Sequence, residues 1–296
     1  MVKATPRNAN EFIEQQLDKR AGALMRASHA DVLAIIGGLL IGVDDIVRDV
    51  VEDMRQASTT HDRLLVVLTT RGGYIEVVQR IVDTLRHYYK IVEFAVPNSA
   101  FSAGTVLVMS GDAIYMNYYS RLGPIDPQLE TARGTQVSAL GYLARYERLL
   151  EKARDGTLTT AEAQLMIDGF DQGELYLFEQ ARELSITLLK EWLAKYKFKN
   201  WHVTETRKMP VTDEMRTKRA EEIAKELSNP ERWHAHGYGI SMEVLRRDLN
   251  LLIDDFDAIP ELGTRINDYH RLVDDYMVKR ANQGVLHTVG HYVPFM

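Results

Sequence analysis

The chain has 296 residues, with a hydrophobic fraction of 45%, a charged fraction of 26% and a formal net charge of −6. That length holds one large domain or one plus a smaller one, and a negative balance with no basic run argues against generic nucleic-acid or anionic-membrane binding. There is no cysteine, which removes disulfides, thiolate nucleophiles and cysteine metal sites together and fits a reducing cytoplasm.

The N-terminal stretch MVKATPRNANEFIEQQLDKR is charged and lacks an apolar core, so it does not read as a signal peptide. The longest apolar stretch, Val32–Val43, is interrupted by Gly37-Gly38 and is too short to span a bilayer. The expectation is a soluble, cytoplasmic protein with no membrane span. Glu11–Arg26 has helical spacing. Val32–Ile36 reads as a buried strand and Val43–Met54 as an amphipathic helix, with Ile46, Val50 and Met54 four apart. Ser58–His61 is a loop. Arg63–Thr69 is a second strand, Tyr74–Tyr89 a helix with Val77, Val78, Ile81, Val82 and Leu85 inward, and Ile91–Val96 a third strand. Ser102–Met109 is a short apolar helix and Ala113–Met116 a fourth strand. This alternation predicts an α/β fold with a mainly parallel sheet covered by helices. Catalytic groups on such a sheet sit at the carboxyl ends of the strands.

Helices then take over: Val137–Ala153, and one long helix over Thr159–Tyr196 that starts on Thr159 or Thr160 with Glu162 at the capping-box position. A boundary falls near Lys197–Pro210. Val211–Leu227, Met242–Leu249 and Leu262–Lys279 read as helices of a separate helical C-terminal domain. The expected division is 1–30 for an N-terminal helix, 31–200 for the α/β domain and 201–296 for the helical C-terminal domain. His234 and His236, at spacing two with no third ligand evident, do not make a zinc set. No metal and no cofactor is expected.

Two turns carry the chemistry. Strand Leu64–Leu68 runs into Thr69-Thr70-Arg71-Gly72-Gly73, and strand Ile91–Val96 into Pro97-Asn98-Ser99-Ala100-Phe101-Ser102-Ala103-Gly104-Thr105. Each is a strand, a small-residue turn and a helix start, where unpaired N–H groups can hold an anion or a developing oxyanion. Ser102, presented at a helix start, is the candidate nucleophile; an ordinary N-cap serine is the competing reading. The pair Gly72-Gly73 allows close backbone approach, and the N–H groups of Gly73 and Ala103 are the candidate oxyanion donors. A serine needs a base. No histidine lies between His87 and His202, which leaves a distant imidazole or a lysine kept neutral in a dry pocket. Arg71 reads as a carboxylate holder, a subunit contact or a solvated side chain. Asp126 orients the site, binds substrate, or fixes its own turn through an Asx-type bond.

From Asp31 to Gln128 the chain resembles the Clp-protease/crotonase superfamily, closest to the serine dehydrogenase proteinase and signal-peptide-peptidase branches. The resemblance rests on Thr70-Arg71-Gly72-Gly73, then Ala100-Phe101-Ser102-Ala103-Gly104-Thr105, then Leu122-Gly123-Pro124-Ile125-Asp126-Pro127-Gln128. It implies repeated β-α units, a serine endopeptidase acting on peptides or proteins, and a homo-oligomer. Two departures stand out. Arg71 occupies the place of the Clp proline, and no histidine falls where the Clp base would. The resemblance to the signal-peptide-peptidase branch therefore implies a Ser-Lys dyad with Lys152 as base, since Lys152 precedes a short loop and Thr159-Thr160-Ala161-Glu162. There is no Gly-x4-Gly-Lys-Ser/Thr loop, so unfolding of folded substrates with ATP would need a separate ATPase or activating partner. The alternative is a catalytically silent Clp-like scaffold that binds a partner. Crotonase-type acyl-CoA chemistry is disfavoured by the serine at this turn.

Overall fold

The structure is a computed structural model that describes residues 5–56, 61–126, 128–130, 136–204, 208–233 and 237–295. The strands are β1 (Asp31–Ile36), β2 (Arg63–Thr69), β3 (Ile91–Ala95), β4 (Ser99–Ala100), β5 (Ala113–Met116), β6 (Arg121–Leu122), β7 (Gln128–Glu130), β8 (Gln136–Ser138), β9 (Ile240–Ser241), β10 (Asp254–Asp255), β11 (Gly284–Thr288) and β12 (His291–Phe295). The α-helices are α1 (Ala9–Ser28), α2 (Val43–Gln56), α3 (Ile75–Tyr88), α4 (Ala103–Met109), α5 (Ala139–Arg154), α6 (Thr160–Gly169), α7 (Gln172–Trp192), α8 (Asp213–Leu227), α9 (Pro230–Trp233), α10 (Met242–Leu249) and α11 (Leu262–Lys279).

Among the described residues, seven strands form the central sheet in the order β10-β5-β3-β2-β1-β11-β12. β1, β2, β3, β5 and β10 run parallel, and β11 and β12 close one edge antiparallel. The strands read as unbroken apolar runs because both faces are covered. Leu33, Ile35, Leu64, Val66, Leu68 and Phe94 pack toward α2, α3 and α4. Val32, Ala34, Ile36, Leu65, Val67 and Ala95 pack toward α1 and α11. A short sheet, β4-β6-β9, stands beyond the carboxyl end of the main one.

Two expectations change. The stretch 201–296, expected as a helical domain, supplies β9 to β12, and β10, β11 and β12 belong to the central sheet. The reason is non-local: β11 pairs Ala34 with His287 and Ile36 with Val285, partners the order of residues does not announce. The long helix expected over Thr159–Tyr196 is two helices. Phe170 is extended at φ −128°, ψ 126°, and the Asp171 side chain accepts the Glu174 N–H to start α7 afresh. The expected start at Thr159 holds, with Thr159 and Glu162 forming a reciprocal capping box.

The helices α5, α6 and the first half of α7 form an arm with a small core of its own, Ala139, Leu143, Leu175 and Phe178, packed with Tyr142, Tyr146 and Phe170. α6 buries no residue. The second half of α7 returns to the main core through Leu188, Leu189 and Trp192.

Candidate active site

The site forms where the ends of β2 and β3 meet. Beyond β2, Thr70 is clamped to the segment that carries the serine: its N–H donates to Ser99 O at 2.9 Å, and its carbonyl accepts from Phe101 N at 3.1 Å. Its buried hydroxyl accepts from Gly72 N at 3.0 Å. The glycines then pass along Leu39, with Leu39 N–H donating to Gly72 O at 2.9 Å and Tyr74 N–H to Leu39 O at 3.0 Å. A Cβ on Gly73 would lie 2.2 Å from Leu39 O, and one on Gly72 would lie 2.8 Å from Phe101 O and 3.0 Å from the Ser102 Cβ. Glycine is required at both places, and the turn lies directly against Ser102.

Ser102 precedes α4 with φ 53° and ψ −119°, a backbone that costs a non-glycine residue of the order of 1–3 kcal/mol. The surroundings hold it there. Gly104 N–H donates to Phe101 O at 2.8 Å, and Thr105 N–H to Ser102 O at 2.9 Å. The Thr105 hydroxyl lies 2.8 Å from Ala100 O and 2.9 Å from Gly123 O and accepts from Gly123 N. A Cβ on Gly104 would lie 2.3 Å from the Thr70 Cγ2, so both turns are packed to contact. Ser102 is buried. Its Oγ–H donates to the carbonyl of Asp126 at 2.8 Å.

Among the described residues, the N–H groups of Gly73 and Ala103 have no acceptor. The Gly73 N–H faces away from Leu39, because its neighbours Gly72 O and Tyr74 N take that side in an extended run. The Ala103 N–H is the first of α4 and has no intrahelical partner. Two such donors beside a hydroxyl can hold the oxygen of a carbonyl under attack.

Ser102, Gly72, Gly73, Ala103 and Asp126 therefore come together. The Asp126 carboxylate is buried and accepts from Leu140 N at the start of α5, 2.9 Å away; its backbone carbonyl accepts the hydrogen bond from the serine hydroxyl. Lys152 is elsewhere. It lies in the last turn of α5 with 42% of its side chain exposed, and its ammonium donates to Glu162 Oε1 at 2.5 Å. Among the described residues no hydrogen bond or ion pair joins it to Ser102. The lysine, with help from Thr159, holds the Glu162 carboxyl down to about 2.

His87 is exposed at the far end of α3, roughly 18 Å along that helix from the glycine turn at 1.5 Å per residue. His270 pairs with the Thr69 hydroxyl at 2.9 Å, on the α11 face of the sheet, and burial pushes its pKa down. His234 and His236 lie outside the described residues, as do Pro127 in the turn after Asp126 and Ser58 in the expected loop.

Reading the residues alone missed three contributors. Thr70 and Thr105 fasten the two turns together, and a threonine beside each glycine motif was the available sign. Glu162 holds Lys152, and the capping box marked that glutamate only as a helix start.

Residues 39–201, more than half of the chain, match the ClpP-like SDH-type serine proteinases. Two uncharacterized proteins of Methanocaldococcus jannaschii are similar. MJ0137 is 30% identical over 44% of this chain and 47% of its own length; MJ1495 is 29% identical over 31% of this chain and 30% of its own. The aligned part thus spans less than half of either relative. Among solved structures, two mutant forms of the 1510-N membrane-bound stomatin-specific protease are similar. One has 14% identity and a TM-score of 0.46 over 79% of this chain and 82% of that one. The other, solved with a substrate peptide, has 15% identity and a TM-score of 0.45 over 89% and 85%. ClpP1 from Listeria monocytogenes has 12% identity and a TM-score of 0.41 over 84% and 99%. Among the described residues, no helix is long and apolar enough to cross a membrane.

Proposed function

This chain belongs to the ClpP-like SDH-type serine proteinase family, and on that premise we propose that Ser102 is the nucleophile of a peptide-bond hydrolase. The observation that carries the reading is the Ser102 turn itself. A serine is held at positive φ beside two N–H groups that no acceptor claims among the described residues. In the proposed reaction the base takes the Oγ proton as Oγ attacks the peptide carbonyl. The Gly73 and Ala103 N–H groups hold the oxyanion, the proton passes to the leaving amine, and water releases the acyl-enzyme. No cofactor enters these steps.

Lys152 is the proposed base, and its setting defines what it must do first. Its ammonium has to leave Glu162, lose a proton and enter a drier place beside Ser102. The Ser102 proton has to turn away from the Asp126 carbonyl, which accepts a hydrogen bond but cannot take up the proton. The resting arrangement is thus that of a site not yet engaged. Peptides or unfolded proteins are the proposed substrates, in a homo-oligomer, with folded substrates dependent on a separate unfolding partner.

The same observation supports a second reading, a silent scaffold, because both proposed reactive groups are occupied elsewhere in the chain. Labelling with a fluorophosphonate, read by intact mass on wild type, Ser102→Ala and Lys152→Ala, separates them. The expected result is one adduct on wild type that is lost in both variants. Loss in Ser102→Ala alone would keep the nucleophile and remove Lys152 from the mechanism. No adduct on folded wild type would favour the scaffold.

A further inference from the structure

Arg71 stands in the glycine turn, and nothing in the proposed chemistry uses it. Its neighbours Thr70 and Gly72 are buried, while Arg71 is exposed. Gly72 and Gly73 carry no side chain, so Arg71 is the turn's one reaching group. Its position is fixed. Thr70, one residue before, is bonded through both N–H and C=O to the Ser99–Phe101 segment. Gly72, one Cα step of about 3.8 Å further on, sits against Ser102 at contact distance.

Its charge is also unspent. Arg63, Arg80 and Arg86, on or beside the same sheet, pair with Glu93, with Asp44 and Asp45, and with Asp112. Among the described residues no carboxylate pairs with Arg71, although acidic residues outnumber basic ones, 42 to 36. Asp126, the acid beside Ser102, is buried and accepts from Leu140 N. A guanidinium is a planar fork that matches a carboxylate through two parallel hydrogen bonds. Its backbone is held one residue from the glycine that packs against Ser102, which brings it near whatever flanks a carbonyl seated on the Gly73 and Ala103 N–H groups.

We infer that Arg71 sets the specificity of the Ser102 site by binding a peptide carboxylate beside the scissile bond. The inference rests on the proposed role of Ser102 and names the substrate class of that site: peptides bearing an acidic side chain, or the free C-terminal carboxylate, next to the bond cut.

The test uses matched quenched-fluorescence peptides carrying Glu, Gln or Lys at each position flanking the cut bond, each with a free or an amidated C-terminus. Wild type should cleave the carboxylate peptide about tenfold faster in kcat/KM than its neutral partner, the size of a good charge-assisted pair. Arg71→Gln should bring that ratio close to one, Arg71→Lys should restore part of it, and Arg71→Glu should turn it toward the Lys peptide. A preference that follows the internal Glu assigns the side chain; one that disappears on amidation assigns the C-terminus. A ratio near one in wild type, or a ratio unchanged in Arg71→Gln, overturns the inference while leaving Ser102 untouched. Peptide binding to Ser102→Ala, with and without Arg71→Gln, is read by fluorescence anisotropy and decides the matter without turnover. If wild type cleaves no peptide, the nucleophile assignment fails, yet an Arg71-dependent preference in binding would still support carboxylate recognition. Equal binding of all peptides would overturn it.

Discussion

The turn that carries Ser102 and the arm that carries Lys152 are held by opposite means. Around Ser102 the constraint is backbone: Thr70, Phe101 and Gly104 bond across the two turns, and the glycines leave no room for another atom. Around Lys152 the constraint is a handful of side chains. The arm's core is Leu143, Leu175, Phe178 and their neighbours, α6 buries nothing, and the lysine is held by a partly exposed ion pair. A strained, buried serine, the proposed nucleophile, needs many fixed contacts, while a proposed base that has to move needs few. Reorganisation therefore costs least on the arm, which is where the proposed base sits.

The largest expected effect is Gly73→Ala. Its methyl group would collide with the Leu39 carbonyl, a backbone atom with nowhere to go. Clash and altered backbone together should cost about 4 kcal/mol in urea unfolding. A loss under 1 kcal/mol would mean the turn is less rigid than the arm comparison requires. Phe178→Ala comes next. Emptying the arm core should cost about 3 kcal/mol, but locally. Hydrogen exchange should quicken through α5–α7 while β1, β2 and β3 keep their protection, and an equal loss in the sheet would show that arm and body unfold as one.

The smallest effect concerns Glu162. Its carboxyl sits near 2 in the fold against an ordinary 4.5, because Lys152 and Thr159 bond to it. The folded value is the lower one, so the clamp's contribution is present above 4.5 and fades as pH falls through about 2. In Lys152→Ala the carboxyl titration followed by NMR should move up toward the ordinary value, with the melting temperature hardly changed. A Glu162 midpoint that stays near 2 in that variant would show that Thr159, not Lys152, governs it.

Much of this was readable in order along the chain. The buried strands announced themselves as apolar runs, because sheet faces covered on both sides leave no polar alternation. The Thr159–Glu162 cap was legible because a helix start is a bond between residues three apart. The same local view ran one helix through Gly169 and Phe170, since the apolar pattern continues and the Asp171–Glu174 cap, a signal of the same kind, was passed over. It also set 201–296 apart as helical, since nothing local in Gly284–Thr288 names β1 as its partner.

By itself the sequence determined the parallel core, the two turns and the residues that sit in them, because these depend on neighbours along the chain and on where glycine alone fits. What those residues touch depends on how distant parts of the chain pack. That packing hydrogen-bonded the Ser102 hydroxyl to the Asp126 carbonyl, set Lys152 on Glu162 and β11 against β1, and left Arg71 without an ion-pair partner among the described residues. Such pairings join residues far apart in the chain. They are settled by packing and by the need to satisfy buried polar groups, neither of which any short stretch contains.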